Sequence, residues 1–407
     1  MIFQTVPLPN SELARLGEHA MRKTALTLLA VGLLFSAIFV CWGSATESKK
    51  PVLVLLKQYE KPVITAESPG AEGIKFGFEG GRALKIGKTY HLMTMEILGG
   101  EPRFRRTNLG YWTSQDRIHW KRVSTLMSST GDQSGKDIRA VLAGPMPIYN
   151  EKDQRWELFY VGYRSQPETA PYPPDSERQD QYPYLFEGFD PQYRDPHLYY
   201  SYGGTIWRAI SKTKGVNGIG GPYEDVGVIL RLGPQSQPWE GFFGTDSFFP
   251  YRVKNKWYGL YGSCHTEKVP IRAWQVGLAS APELAGPWTR EKQNPLQIEN
   301  FFIENPIVTQ LPDKTYLAVY NGPNPNAIGY TCSADGVHWS KGVNLVIQPQ
   351  GRGHWASTVR TPLGLIPEGN NNTFTLFYTG FIGTGDAYSD PHHTRSVGFV
   401  TLKLEYK

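Results

Sequence analysis

The sequence predicts an all-β fold, a five-bladed β-propeller preceded by an N-terminal signal or anchor helix. Three observations lead to this prediction. Beyond about residue 70, no long segment keeps the 3.6-residue apolar period of an amphipathic helix. Aromatic residues make up 13% of the chain, which also has 43 Gly and 31 Pro, a mixture typical of short strands joined by turns. One pattern of strands also recurs five times, which indicates a repeat architecture.

The first part of the chain, 1–45, has the composition of a signal peptide or membrane anchor. A basic pair precedes an uncharged run over 24–42, and small residues follow this run. A basic region, an apolar region and small residues in this order are typical of an export signal, and such a run anchors the chain if it is not cleaved. We therefore expect an exported protein, either periplasmic, extracellular or membrane-anchored through 24–42 and facing outward. Residues 46–70 are predicted to be a linker.

The repeat over 71–407 consists of strand-length pieces. Its five second strands are rich in Tyr, Trp, Phe and Leu and lie at 88–93, 156–160, 257–261, 315–320 and 374–378. A third strand and a turn that carries Trp follow several of them, as at Trp120, Trp288 and Trp339. Self-similarity at roughly 50 to 65 residues predicts a propeller, because each four-stranded blade buries its faces against its neighbours. A β-sandwich is the alternative, but it does not explain the repeated Trp-bearing turn.

One long insertion interrupts the repeat in the second blade. It covers residues 164–203 and is rich in Pro, Tyr and Asp. A loop of this length inside a compact domain is usually a functional lid or a disordered insert. The connection between second and third strands returns to the end of the axis where the innermost strands begin. We therefore expect the insertion to lie over the axial pocket.

Three acids are predicted to meet on the propeller axis. Glu79 and Asp246 each lie eleven residues before the aromatic opening of a second strand, and Glu304 lies twelve residues before it. These are the first residues of innermost strands, which converge on the axis from different blades. An unpaired charge beside an apolar strand is costly, so the three acids are expected to face a shared pocket. The alternative is that one or more of them pairs with an axial arginine such as Arg82 or Arg360.

Convergent carboxyl groups indicate glycosidic bond cleavage. One carboxylic acid protonates the leaving oxygen, and a carboxylate opposite it activates water or attacks directly. A third acid can raise the pKa of the proton donor and orient it through like-charge interaction. The sequence thus predicts a glycoside hydrolase with an oligo- or polysaccharide substrate. Lys and Arg are scattered, and the net charge is only +5, so no nucleic-acid partner is expected.

These motifs resemble those of the five-bladed propeller glycosidases of glycoside hydrolase family 43 and relatives. The run 304–306 resembles the Glu-Gly-Pro motif that carries the family's general acid, and Asp246 resembles the aspartate that tunes this acid. The run 353–357 resembles a Gly-His-x-Ser segment whose His lies on the axis, often beside a bound calcium. The resemblance covers the chain after about residue 71. It implies an inverting mechanism with Glu304 as general acid and Glu79 as general base, where family members carry an aspartate.

Five further residues are candidates for substrate binding: Trp239, His354, Trp355, Arg360 and His393. The two tryptophans are candidates for stacking on a sugar ring, with packing inside a blade as the alternative. His393 is expected at the rim of the pocket, where contact with substrate and a solvated polar loop are the two alternatives. His354 is also the candidate for a structural Ca²⁺ held through water, although a single histidine does not make a metal site.

No organic cofactor is required by the predicted chemistry. A non-catalytic glycan-binding propeller remains the alternative function, because Glu79 replaces the aspartate of the family. A membrane-anchored propeller that binds other proteins is a third hypothesis, and the convergent acids argue against it.

Overall fold

The computed structural model of the chain describes residues 49–99, 106–167, 169–170, 201–241, 243–264, 274–300, 302–347, 354–369, 372–383 and 394–407. Within these residues, twenty β-strands form five sheets of four strands each. The predicted five-bladed propeller is therefore confirmed. The predicted signal or anchor segment 1–45 lies outside the described residues. In the part of the chain that is described, no helix has the length and apolar character needed to cross a membrane.

Each blade is an antiparallel sheet whose strands follow one another outward from the axis. Blade one consists of β2 (Phe78–Ile86), β3 (Thr89–Ile97), β4 (Thr107–Ser114) and β5 (Trp120–Ser128). Blade two consists of β6 (Val141–Asn150), β7 (Arg155–Arg164), β8 (Tyr202–Lys214) and β9 (Tyr223–Arg231). Blade three consists of β10 (Thr245–Val253), β11 (Lys256–Cys264), β12 (Trp274–Ala281) and β13 (Thr289–Arg290). Blade four consists of β14 (Glu304–Gln310), β15 (Tyr316–Asn321), β16 (Ala327–Ser333) and β17 (Val343–Val346).

Blade five joins the two ends of the propeller. Its strands β18 (Thr358–Pro367), β19 (Thr373–Phe381) and β20 (Ser396–Tyr406) are completed by β1 (Pro51–Gln58), which lies beside β20. This corrects the prediction of a linker over 46–70. The segment Pro51–Gln58 is rich in Val and Leu, and as the fourth strand it covers an edge of β20 that would otherwise expose unpaired backbone groups.

Two of the Trp-bearing turns pack against a neighbouring blade, whereas the turn of Trp288 packs within blade three. Trp120 of blade one packs edge-on against Phe377 of blade five, with ring centroids 5.6 Å apart. Trp339 of blade four meets Tyr251 of blade three in the same way, at 6.1 Å. Aromatic pairs of this geometry add specific contacts to the area they bury. The repeated tryptophan noted in the sequence thus contributes to the interfaces between blades.

The innermost strand of every blade contains a bulge near its start. The register against the second strand shifts after Glu79, Ala143, Asp246, Glu304 and Val359. In four blades, the next residue has a positive φ: Gly80 (54°), Gly144 (55°), Ser247 (41°) and Asn305 (53°). A bulge leaves a residue unpaired and turns the strand locally. The repeat therefore presents equivalent residues of the five blades at the same level of the axis.

Candidate active site

The structure brings the three predicted acids together. Glu79, Asp246 and Glu304 line one pocket on the axis, and each is less than 10% exposed. They come from blades one, three and four, where they occupy the residue before the bulge. Blade two has Ala143 at this position and blade five has Val359. Three carboxyl groups thus share a small, largely desolvated space.

Two arginines contact two of these acids. Nη2 of Arg360 lies 3.2 Å from Oε2 of Glu304, and its Nε lies 3.7 Å from Oε1 of Glu79. Nε of Arg395 lies 2.8 Å from Oε2 of Glu79. Thr361 also donates a hydrogen bond to Oε1 of Glu79. The alternative of pairing with an axial arginine therefore holds for Glu79 and Glu304.

The other arginine considered in the sequence lies elsewhere. Nη1 of Arg82 donates a hydrogen bond to the carbonyl oxygen of Pro147 at 2.5 Å, and its guanidinium lies over the ring of Phe249. Burial lowers the pKa of Arg82 to about 10. Arg82 thus joins blades one, two and three and does not line the pocket of the acids.

Asp246 has different surroundings from the two glutamates. The hydroxyl of Tyr163 donates a hydrogen bond to Oδ1 of Asp246. Oδ2 is buried and has no hydrogen-bond partner among the described residues. Burial raises the pKa of Asp246 well above its ordinary value, and the nearby charge of Glu304 raises it further. Asp246 therefore retains a proton to higher pH than an exposed aspartate.

The pKa of Glu304 is also raised. Burial is the largest cause, and the charge of Arg360 opposes it. The amide of Asn321 donates a hydrogen bond to Oε2 of Glu304 at 3.1 Å. The protonation of Glu304 thus depends on desolvation and the charge of Glu79, which raise its pKa, and on the guanidinium groups of Arg360 and Arg395, which lower it.

The two tryptophans predicted to bind sugar are packed inside blades. Trp239 is buried, its Nε1 donates to Gln237, and its ring lies 5.4 Å from that of Tyr261. Trp355 is buried and stacks on Tyr378 at a centroid distance of 5.5 Å. Neither lines the axial pocket. These positions match the packing alternative stated for both residues.

His354 also lies apart from the pocket lining. Its Nδ1 accepts a hydrogen bond from the backbone N–H of Ala356, and its Nε2 is 3.1 Å from the carbonyl oxygen of Glu60. Both ring nitrogens are therefore engaged with the backbone. In the described part of the chain, no three His, Cys, Asp or Glu side chains come together as metal ligands. The structural Ca²⁺ held through water near His354 stays a prediction.

Two predicted features lie wholly or mostly outside the described residues. His393 is one of them. The insertion 164–203 is the other, since its central part, 171–200, is not described. The predictions that both lie at the mouth of the pocket remain predictions.

Several pocket residues escaped the sequence analysis. An aromatic wall of the pocket consists of Tyr163, Phe243 and Trp274. The ring centroid of Phe243 lies 5.2 Å from that of Tyr163 and 4.9 Å from that of Trp274. Arg395 lines it as well. Trp274 opens β12, and Arg395 directly precedes β20; each forms a parallel bridge to the residues that lead into the next blade. The start of a third strand was therefore the signal that could have identified both.

Comparison with solved structures shows where this fold occurs. Zg3597, a family 117 glycoside hydrolase from the marine bacterium Zobellia galactanivorans, matches 88% of this chain and 91% of its own length, with a TM-score of 0.53 and 11% identity. The α-L-arabinofuranosidase PaAbf62A from Podospora anserina matches 84% of this chain and 95% of its own, with a TM-score of 0.51 and 13% identity. A protein of unknown function from Dyadobacter fermentans matches 88% of this chain and 100% of its own length, with a TM-score of 0.50 and 11% identity.

No protein-family model and no curated protein matches the chain. The class that the comparison defines is that of five-bladed propellers, which includes glycoside hydrolases. At these identities the likeness shows the fold. The chemistry of this chain therefore has to be argued from its own pocket.

Proposed function

We propose that the protein is a glycoside hydrolase that cleaves a glycosidic bond of an oligo- or polysaccharide. The observation that carries this proposal is the convergence of Glu79, Asp246 and Glu304 in one buried pocket. The aromatic wall that includes Phe243 and Trp274 lines the same pocket and supports the proposal, since aromatic faces pack well on the C–H faces of sugars. The shared fold with glycoside hydrolases agrees with the proposal.

Under this proposal, Glu304 is the general acid and Glu79 the general base. Burial raises the pKa of Glu304, which suits a group that must keep its proton until it passes it to the leaving oxygen. Glu79 faces two guanidinium groups, a setting suited to a carboxylate that takes a proton from water. The water oxygen then bonds to the anomeric carbon as the glycosidic bond breaks, which inverts its configuration. Asp246 is the third acid, and its protonation and that of Glu304 depend on each other because the two carboxyl groups repel when both are ionised.

One observation favours the alternative, a non-catalytic glycan-binding propeller. Arg360 lies 3.2 Å from Glu304, and a guanidinium at this distance stabilises the carboxylate, which cannot donate a proton. If this pairing persists when a glycan is bound, the pocket recognises the sugar without cleaving it. Catalysis therefore requires the protonated form of Glu304 to be populated in the complex.

Activity on a glycan panel separates the two functions. The full chain is incubated with aryl glycosides of pentoses and hexoses and with arabinan, xylan and mannan, and released sugars are measured. Glu304→Gln is tested beside it, and Glu283→Gln serves as a control because Glu283 pairs with Lys152 on the surface. We expect cleavage by wild type and Glu283→Gln, and loss of cleavage with retained melting temperature in Glu304→Gln. Binding of a glycan without cleavage by wild type would support the binding propeller instead.

We also propose that the protein is exported through its segment 1–45, with 24–42 as the apolar region. This proposal rests on the order of basic, apolar and small residues in the sequence. Fractionation of cells that express the full chain, with N-terminal sequencing of the mature form, tests it. A chain found in the cytoplasm with an intact N-terminus would contradict it.

A further inference from the structure

Tyr163 links the blade that lacks an axial acid to the acid of the next blade. It lies on β7, the second strand of blade two, opposite Val141 of the innermost strand. Its hydroxyl donates a hydrogen bond to Oδ1 of Asp246 in blade three. Both side chains line the axial pocket, and they are only 3% and 6% exposed. The hydrogen bond is therefore buried within the pocket wall.

The backbone around Tyr163 holds this pair in place. The start of β8 forms a parallel bridge between Gly204 and Gly244, two residues before Asp246. A Cβ added at Gly204 would lie 2.3 Å from the carbonyl oxygen of Thr245 and 2.8 Å from Cε1 of Tyr163. Only glycine allows the two strands and the tyrosine ring to approach this closely. The ring of Phe243 packs on the other side of Tyr163 at 5.2 Å.

This hydrogen bond distinguishes the two oxygens of Asp246. Oδ1 accepts the hydrogen from Tyr163, so a proton bound by the carboxyl group lies on Oδ2. Oδ2 is buried and has no hydrogen-bond partner among the described residues. A buried polar atom of this kind is costly unless a ligand supplies a partner. Oδ2 is therefore the oxygen of Asp246 whose hydrogen-bonding capacity is unused in the wall of this pocket.

We propose that Tyr163 is a positioning residue that fixes the carboxyl group of Asp246, so that Oδ2 carries the proton and donates a hydrogen bond to an oxygen of the bound sugar. That the ligand is a sugar rests on the proposed function, whereas the position of the Asp246 proton on Oδ2 does not. Glu304 and Glu79 repel an ionised Asp246, and Arg360 attracts it. Tyr163 adds a neutral donor to this set.

Removing the hydroxyl should raise the pKa of Asp246 further, because a hydroxyl that donates to a carboxylate stabilises its charged form. The experiment is a pH titration followed by infrared spectroscopy, in which a protonated buried carboxyl group gives its own carbonyl band. Asp246→Asn assigns the band to this residue. In Tyr163→Phe we expect the midpoint of this band to shift upward by about one pH unit.

Tyr160→Phe is the matched control. Tyr160 lies on the same strand, is buried and donates a hydrogen bond to Asp225 at 2.6 Å. Residues three apart on a strand face opposite sides, so this variant loses a similar bond away from the pocket. We expect it to leave the Asp246 band unchanged. Melting curves of both variants report any general loss of structure.

The outcomes separate this inference from the proposed function. An upward shift in Tyr163→Phe but not in Tyr160→Phe supports the positioning role, even if no glycan is cleaved. A band that Asp246→Asn does not remove, or a midpoint that is the same in wild type and Tyr163→Phe, overturns the inference.

Discussion

Buried carboxyl groups occur in two regions of this propeller, within the blades and on the axis, and their partners differ. Within blade one, Glu96 is fully buried. Arg122 holds both of its oxygens, at 2.8 and 2.7 Å, and Trp112 donates a third hydrogen bond at 2.9 Å. Arg290 of blade three donates hydrogen bonds to both oxygens of Glu240, which lies in the connection before that blade, at 2.6 and 2.7 Å. Protein groups therefore satisfy the hydrogen-bonding capacity of both carboxylates without a ligand.

The axial carboxyl groups are slightly more exposed, at 6–9%, and less completely paired. Arg360 contacts both Glu79 and Glu304 through single atoms, Arg395 contacts Glu79 through one atom, and one oxygen of Asp246 has no hydrogen-bond partner among the described residues. Bidentate pairing satisfies a buried carboxylate, whereas partial pairing leaves it dependent on water or a ligand. Burial alone therefore does not identify a functional acid in this molecule. The criterion that does is whether protein groups donate hydrogen bonds to both of its oxygens.

The largest expected effect is the loss of activity on removal of an axial acid. Glu79→Gln should slow glycan hydrolysis by about 10³-fold, because it removes the general base. The amide oxygen of the variant can still accept the hydrogen bond from Thr361, so the fold should be kept. Initial rates on the best substrate of the panel and a melting curve measure the two effects. Full activity in this variant would show that Glu79 is as structural as Glu96.

For the paired carboxylate within blade one, we expect a loss of stability with activity kept. Arg122→Met leaves Glu96 buried without a cation, so the free energy of unfolding should fall by about 3–5 kcal/mol. Hydrolysis per folded molecule should stay at the wild-type value, because both residues lie away from the pocket. Urea denaturation measures the free energy of unfolding. The hydrolysis rate is divided by the folded fraction, which is measured by a method that does not depend on activity. A stable but inactive variant would contradict the assignment of a structural role to Glu96 and a functional role to the axial acids.

A smaller effect is expected at Gly204, which lies between the Tyr163 ring and the strand of Asp246. Gly204→Ala should lower the free energy of unfolding by about 1–3 kcal/mol, since the added methyl group displaces backbone. Gly233→Ala is the control, because a Cβ at Gly233 meets nothing within 4 Å. Activity should fall in the first variant and persist in the second. Equal behaviour of the two variants would mean that the Tyr163–Asp246 contact tolerates displacement.

The smallest expected effect is a pH dependence of stability that originates on the axis. Burial raises the pKa values of Asp246 and Glu304 in the folded state above their ordinary values of 3.8 and 4.5. The folded state therefore binds more protons, and stability is lost as the pH rises from about these values through the folded-state pKa values. Each unit of pKa difference corresponds to about 1.4 kcal/mol. Asp246→Asn should flatten the curve of melting temperature against pH, whereas an unchanged curve would contradict the assignment.

The repeat made much of the fold predictable. The five second strands and the three acids follow from spacing along the chain, because one blade is a local unit of sequence. Strand β1 was missed, because its partner β20 lies at the other end of the chain. Trp239 and Trp355 are chemically as suited to bind sugar as Trp274. Only Trp274 lines the pocket, and composition carries no signal of this difference.

The sequence by itself determined the blades and the three acids on their innermost strands, because strand and turn preferences act over a few residues. Closure of the ring decided which other side chains join these acids. Arg395 reaches Glu79 and Tyr163 reaches Asp246 only when the blades close around the axis. The partners of each acid, and hence its charge, are properties of the assembled propeller, because electrostatic contacts depend on distance in space and on burial.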